Sequence, residues 1–466
     1  MYVRSLKPKL IESIHLIKRQ EGGSRVESEP AATTVGKKVW IEAYGCSASM
    51  ADSEMITGLL KNAGYEIASS SKEGSLNVIV TCSVKDTTEH KMVHRIKQLG
   101  QTGKPLVVAG CLPKADRAMV ELLSPAASLM GPHSLELSAD VVNSAFSGSR
   151  QVALEDSKTE KVNIPRVRIN PVVSIVEIAS GCMSECTFCQ TKLAKGWLHS
   201  YRIGDIARQV RDDVAAGCKE VWLTSTDSGC YGRDMGTNLA ELLRVCTGID
   251  GSDFKIRVGM LNPQYMPDMV DEIADAYLKH GDRLFRFIHM PVQSGSERIL
   301  RKMKRGHTAQ VFLDAVKTLR AKMPDFTIST DVIVGFPSET EQDFQKTLDL
   351  LREAQADVVN ISRYSARPGT ESAKMKYSRV STQVAKERSE RLTRLVRDIA
   401  KRRNASWEGW QGDVVIDEIG KVAQGRNYAY KPVVLSGKPD DFKLGEKIRV
   451  EVYDFSSFSL KARAIL

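Results

Sequence analysis

Three times between Lys37 and Cys111 an apolar run of strand character stops at a cysteine: KVWIEAYGC at Cys46, LNVIVTC at Cys82 and PLVVAGC at Cys111. Helical segments, ADSEMITGLLKNAG and DTTEHKMVHRIKQLG, lie between them. Strand, thiol, helix, repeated, restricts this region to a parallel α/β sheet, because parallel strands need connections of helix length. All three thiols then fall at the carboxyl ends of the strands, the edge where open α/β sheets bind ligands. One cysteine at a strand end is commonly a small core residue. Three in the same topological position point to a shared metal group with one iron left open.

A second trio lies in the loop GCMSECTFC, at Cys182, Cys186 and Cys189. Three thiols in a CxxxCxxC array can ligate three corners of a four-iron cluster and leave the fourth iron for a small molecule. Structural zinc takes four ligands, often as two CxxC knuckles, and no second knuckle is present.

At 466 residues the chain fits about three domains. Its 42% hydrophobic and 27% charged residues describe a globular protein. With no apolar run of membrane-spanning length and no signal-peptide core, the sequence predicts a cytoplasmic protein with no membrane partner. In that reducing setting cysteines serve as thiolates or core residues rather than disulfides. Residues 1 to 36 read as a flexible extension, and 140 to 168 as a polar linker.

After the second trio, strands EVWLTSTD, FKIRVGML, LFRFIHMPVQ, FTISTDVIVGF and DVVNISRYS alternate with helices. With the strand before the loop they make a partial (β/α)6 barrel, too few units to close as eight do, with its site at the strand carboxyl ends. The stretch 380 to 404 reads as a basic amphipathic helix carrying Arg391, Arg394, Arg397 and Lys401, with Leu392, Leu395 and Ile399 as its apolar stripe. Between Arg363 and Arg403 stand 13 Lys or Arg against 4 Asp or Glu, a concentration that suits RNA phosphates. The remainder alternates apolar and polar residues, predicting a small antiparallel β-barrel. Tyr428 and Tyr430, two apart, are expected on one strand face, where they can stack on bases.

Taken together, YGC followed by DSE, TCSV, AGCLP, GCMSECTFC, YGRD, MPVQSGS, GFPSET and RPGT resemble the radical-SAM methylthiotransferases, over essentially all of Lys37 to Leu466. The resemblance implies a methylthiotransferase domain over 37–147, a radical-SAM core with its basic helix over 168–400 and a TRAM domain over 404–466. The stretch CQTKLAKG and the run LTSTDSGCYGRDMGTNL are most similar to the branch acting on threonylcarbamoyladenosine in tRNA; the isopentenyladenosine branch tends to carry VVPxxRG instead. Ser49 departs from the family, which usually has Asn there.

What the resemblance implies is an enzyme with two 4Fe-4S clusters and S-adenosylmethionine. The cluster at Cys182, Cys186 and Cys189 passes an electron into S-adenosylmethionine, and the resulting 5′-deoxyadenosyl radical takes hydrogen from carbon 2 of the modified adenosine. The cluster at Cys46, Cys82 and Cys111 presents the sulfur. By superfamily analogy Thr226 and Asp227 lie near the methionine portion, Gln293 and Ser294 near the ribose, Gly335 behind the adenine, and Phe188 against it through its main chain. The implied partners are the tRNA anticodon stem-loop and an electron donor such as flavodoxin or ferredoxin, with an unspecified sulfur donor. A non-catalytic iron–sulfur RNA-binding sensor is the reading from another class.

Overall fold

The computed structural model describes residues 4–5, 36–83, 86–157, 159–251 and 253–465. The expected extension therefore lies almost wholly outside the described residues. The chain falls into two units: one holds residues 1–169, 175–182 and 189–201, the other 170–174, 183–188 and 202–466.

In the first unit β1 (Lys38–Ala43), β2 (Leu76–Thr81), β3 (Leu106–Gly110) and β4 (Ser128–Met130) are parallel neighbours, in register through Ile41 and Val78, Val78 and Val107, and Val107 and Ser128. Their residues are buried almost throughout, as expected of strands covered on both faces. Helix α1 (Ser47–Asn62) follows β1, α2 (Asp86–Gly100) follows β2, and the short α3 (Cys111–Ala115) begins on the last cysteine of the trio.

The expected linker is not a free tether. Helix Ser138–Phe146 occupies its first part. Further on, Val167 donates to the Glu54 carbonyl at 2.9 Å and Ile169 to the Glu54 carboxylate at 2.8 Å. A Cβ on Gly58 would stand 2.3 Å from the Pro165 carbonyl oxygen. Close backbone approach to α1, which polar composition alone does not reveal, fixes this segment. The same unit contains most of β5 (Val173–Ser180) and helix α4 (Thr191–Lys195).

In the second unit Lys219 and Glu220 both donate to the Val172 carbonyl, setting the start of β6 (Glu220–Ser225) beside the entry to β5. Next come β7 (Lys255–Val258), β8 (Phe287–His289), β9 (Thr327–Val334) and β10 (Val358–Arg363), all parallel, with β7 and β8 joined by the bridges Ile256 to Leu284 and Met260 to His289. Helix α5 (Thr382–Ala405) is seated by Arg388, whose guanidinium meets Glu339 at 2.8 Å and Glu341 at 3.2 Å. Its buried stripe is Leu392, Val396 and Ile399; Leu395 is only half-buried.

Five strands, 411–419, 423–426, 432–435, 447–455 and 460–464, close into the C-terminal barrel around Val414, Ile416, Val433, Val450 and Leu460. Asp357, fully buried, ties barrel and helix to the strand core: Arg320, Arg403 and Lys431 each meet it at 2.8 to 3.0 Å. Among the described residues no helix is long and apolar enough to cross a membrane.

Candidate functional site

The three strand-end cysteines of the first unit converge. Gly45 has φ +120°, and a Cβ there would lie 2.2 Å from Cys82 Cβ, so only glycine lets the loop after β1 reach the end of β2. Gly110, at φ +94°, is pressed in the same way onto the Thr81 carbonyl oxygen, 2.4 Å from an added Cβ. These two glycines bring Cys46 and Cys82 into hydrogen-bonding range and start α3 on Cys111. The Cys82 thiol is the main cause that draws Cys46 down to about 5, whereas burial pushes Cys111 up to about 12, with the Cys46 charge adding to it. Ser49 Oγ lies 3.7 Å from Cys46 Sγ, so the departure from Asn still puts a small hydroxyl beside this thiol.

Beneath the trio lies a group of charges that sequence reading missed. Lys161 contacts Asp52 at 2.6 Å and Glu177 at 3.2 Å, and Lys195 contacts Glu177 at 2.9 Å; no side chain of the four is more than 4% exposed. Burial pushes the Glu177 carboxyl up, but the two ammonium groups outweigh it and hold it at about 2. Lys195 ends α4, which packs on α3, so its charge also acts on Cys46 and Cys111. The available signal was the Asp of DSE, which needs a cation once buried.

The CxxxCxxC loop is anchored at each end. In the first unit Cys182 N–H donates to Gly196 O at 3.3 Å, and Lys192 Nζ donates to the Cys182 carbonyl. In the second, Thr187 N–H donates to Met303 O at 3.0 Å, and Arg305 Nη1 donates to Cys186 Sγ at 3.2 Å. Phe188 packs its ring with Ile299, Met303 and Phe336, next to the turn at Gly335. A Cβ on Gly335 would lie 2.8 Å from Ala385 Cβ, so approach of α5 also demands glycine there.

At the carboxyl ends of β6 and β8 the structure separates the paired expectations. Asp227 Oδ1 accepts from Gly229 and Asn262 N–H at 3.0 and 2.9 Å and so builds the turn, while the neighbouring Thr226 Oγ1 is buried without a partner. Ser294 is fully buried, accepting from Ser296 N–H at 3.2 Å and so building the next turn. Gln293, in contrast, holds φ +72° and leaves its buried Oε1 without a partner. A non-glycine residue in the left-handed region beside an unsatisfied amide marks a functional position. Arg305 Nε and His307 Nε2 are likewise buried and unpartnered, and burial beside Arg305 pushes the His307 imidazole down to about 4.

Soft thiols suit iron–sulfur ligation, none of the nine cysteines is in a disulfide, and the buried Thr226 Oγ1 and Gln293 Oε1 are left for a polar small molecule to complete. Donor chemistry and orphaned atoms both fit the implied groups.

The expected strand face for the two tyrosines does not exist. Tyr428 and Tyr430 lie in the turn between strands 423–426 and 432–435, with Tyr430 at φ +59°. Tyr430 sits 4.8 and 4.9 Å from the rings of Phe285 and Phe287; Tyr428 packs on Trp407 and Trp410 and donates to Asp325 at 2.5 Å. Both rings are committed to joining the barrel to the strand core, so base stacking by them is withdrawn. On α5, Arg394, Arg397 and Lys401 are exposed, while Arg391 is paired with Glu341.

Residues 176–351 match the Radical SAM superfamily and residues 38–131 match Uncharacterized protein family UPF0004. The probable threonylcarbamoyladenosine tRNA methylthiotransferase of Pyrococcus abyssi is 39% identical over 415 residues, covering 88% of this chain and 96% of its own. The chain belongs to the threonylcarbamoyladenosine tRNA methylthiotransferases. The Homo sapiens threonylcarbamoyladenosine tRNA methylthiotransferase is 33% identical over 448 residues, 94% of this chain and 76% of that one. Among solved structures, a radical S-adenosylmethionine methyltransferase, TsrM, from Kitasatospora setae aligns with TM-score 0.52 and 13% identity over 73% of this chain and 77% of its own, a likeness of fold alone. Membership of this methylthiotransferase family carries with it the radical-SAM requirement for a 4Fe-4S cluster and S-adenosylmethionine.

Proposed function

We propose that this chain converts N6-threonylcarbamoyladenosine beside the tRNA anticodon to its 2-methylthio derivative. The carrying observation is the convergence of Cys46, Cys82 and Cys111 at one sheet edge, in a chain related along its length to enzymes named for that modification. Replacing an aromatic C–H by a methylthio group needs chemistry that no side chain supplies, and a bound cluster with S-adenosylmethionine supplies it. Cys182, Cys186 and Cys189 would hold that cluster. Cys46, Cys82 and Cys111 would hold a second 4Fe-4S cluster for the sulfur.

The remaining roles belong to the chain. Thr226 Oγ1 and Gln293 Oε1 offer hydrogen bonds to the polar parts of S-adenosylmethionine, with Phe188 and Gly335 bounding its adenine. Arg394, Arg397 and Lys401 meet phosphates of the anticodon stem-loop without reading sequence, steering the RNA. A flavodoxin or ferredoxin type of donor would supply electrons; the domain over 37–147 would serve sulfur transfer and the core over 168–400, with its basic helix, radical chemistry and RNA contact, while the barrel over 404–466 braces that helix through Asp357.

Mass spectrometry of tRNA nucleosides from a deletion strain tests the reading. Loss of 2-methylthio-threonylcarbamoyladenosine is expected; its persistence while another methylthio base disappears overturns it. Reduced protein with tRNA is expected to release 5′-deoxyadenosine, and failure to do so under anaerobic conditions favours the sensor.

A further inference from the structure

Arg305 has no part in the assignments above, yet its guanidinium touches a cysteine sulfur of the CxxxCxxC loop. Its side chain is held by two directional bonds: Nη1 to Cys186 Sγ at 3.2 Å and Nη2 to the Pro291 carbonyl at 2.7 Å. Only 6% of the residue is exposed. The chain is shaped to deliver it. Helix Glu297–Met303 ends at Lys304 in the left-handed conformation, φ +52°, which turns the next residue inward, and Arg305 N–H returns to Leu300 O at 3.1 Å. The cysteine loop is stitched to the same helix end, since Thr187 bonds Met303 O through its N–H and Lys302 O, at 2.9 Å, through its hydroxyl. The guanidinium and the sulfur are thus registered by their backbones as well as by their own hydrogen bond.

We propose that Arg305 is a positioning residue that fixes the Cys186 sulfur and sets the one-electron reduction equilibrium of the cluster held there. The proposal rests on the reading of Cys182, Cys186 and Cys189 as cluster ligands. A guanidinium is a delocalised positive charge, and its burial weakens the solvent screening between it and the sulfur. Adding one electron to the cluster makes the thiolates more negative, so a fixed N–H donor and a positive charge at one of them favour the reduced form. Lysine would keep the charge but lose the two-armed geometry, so the two contributions can be separated.

The test is the midpoint potential of the anaerobic holoenzyme, poised with redox mediators that deliver one electron and read by electron paramagnetic resonance. The cluster concerned is recognised by the change that S-adenosylmethionine makes to its signal. Arg305→Gln is expected to move the equilibrium at least tenfold toward the oxidised form, ~59 mV for one electron, with affinity for tRNA unchanged. Arg305→Lys is expected to fall between it and the wild type. Retained iron with an unchanged midpoint in Arg305→Gln overturns the proposal and leaves Arg305 a mechanical strap. If Arg305→Gln does not hold iron, Arg305→Lys decides, and a wild-type midpoint there overturns it. A wild-type protein with no cluster signal sensitive to S-adenosylmethionine would instead overturn the ligand reading on which the proposal stands.

Discussion

Removing the ammonium of Lys195, as in Lys195→Met, tests whether the buried charges beneath the first cysteine trio hold that unit together. Glu177 would keep only Lys161, 3.2 Å away and already shared with Asp52 at 2.6 Å. Breaking a buried ion pair by deleting one partner costs roughly 3–5 kcal/mol, because the other charge stays desolvated. The depressed Glu177 carboxyl points the same way. Glu177 sits at about 2 in the folded protein, against about 4.3 for an unfolded glutamate, and at 1.36 kcal/mol per unit this is roughly 3 kcal/mol. Because the folded value is the lower one, this stabilisation is fully present above the unfolded pKa and is lost as pH falls from about 4 toward 2. Hydrogen exchange of the β1, β2 and β3 amides, read by mass spectrometry, reports the opening energy of this unit without requiring the whole chain to unfold as one. Lys195→Met should lower it by about 3 kcal/mol at neutral pH, and the double variant with Glu177→Gln should lose less than the sum of the singles. A loss under about 1 kcal/mol, or strict additivity, would refute the reasoning.

Gly45→Ala should disrupt the first trio, since the new Cβ would overlap Cys82; iron bound per chain is expected to fall while radical cleavage of S-adenosylmethionine persists, and full iron content would count against that packing. Truncating Tyr430 to alanine should cost about 3–5 kcal/mol by opening a cavity among Phe285, Phe287 and the Arg257 guanidinium. Its denaturant midpoint should shift with no selective loss of tRNA affinity; the opposite pattern would restore a stacking role. Replacing Arg394, Arg397 and Lys401 together by alanine should weaken tRNA binding and flatten the salt dependence of log K by about one unit for each phosphate no longer neutralised. The same salt slope as wild type would remove α5 from the interface.

Much of this chain could be read from its residues because the constraints are local. A cysteine after each apolar run, with helix-length connections, dictates a parallel sheet with thiols along one edge, and CxxxCxxC puts three sulfurs within a single loop. The basic run 382–405 folds as the helix its 3.6-residue period demands, and alternation after it becomes a closed barrel. What depended on distant segments was invisible. Lys161 stands in a polar stretch whose charge looks solvated until Pro165 and Val167 press that stretch onto α1. Tyr428 and Tyr430 follow a two-residue spacing that suits a strand, but the turn between two short strands claims them, and Phe285 and Trp407, each from elsewhere in the chain, claim their rings. Asp227 and Thr226 are adjacent in sequence, yet one satisfies two backbone N–H groups and the other leaves a hydroxyl unsatisfied. Sequence spacing determines which side chains a strand or loop can present; burial and hydrogen-bond satisfaction, which depend on what packs against it, decide which of them remain available for chemistry.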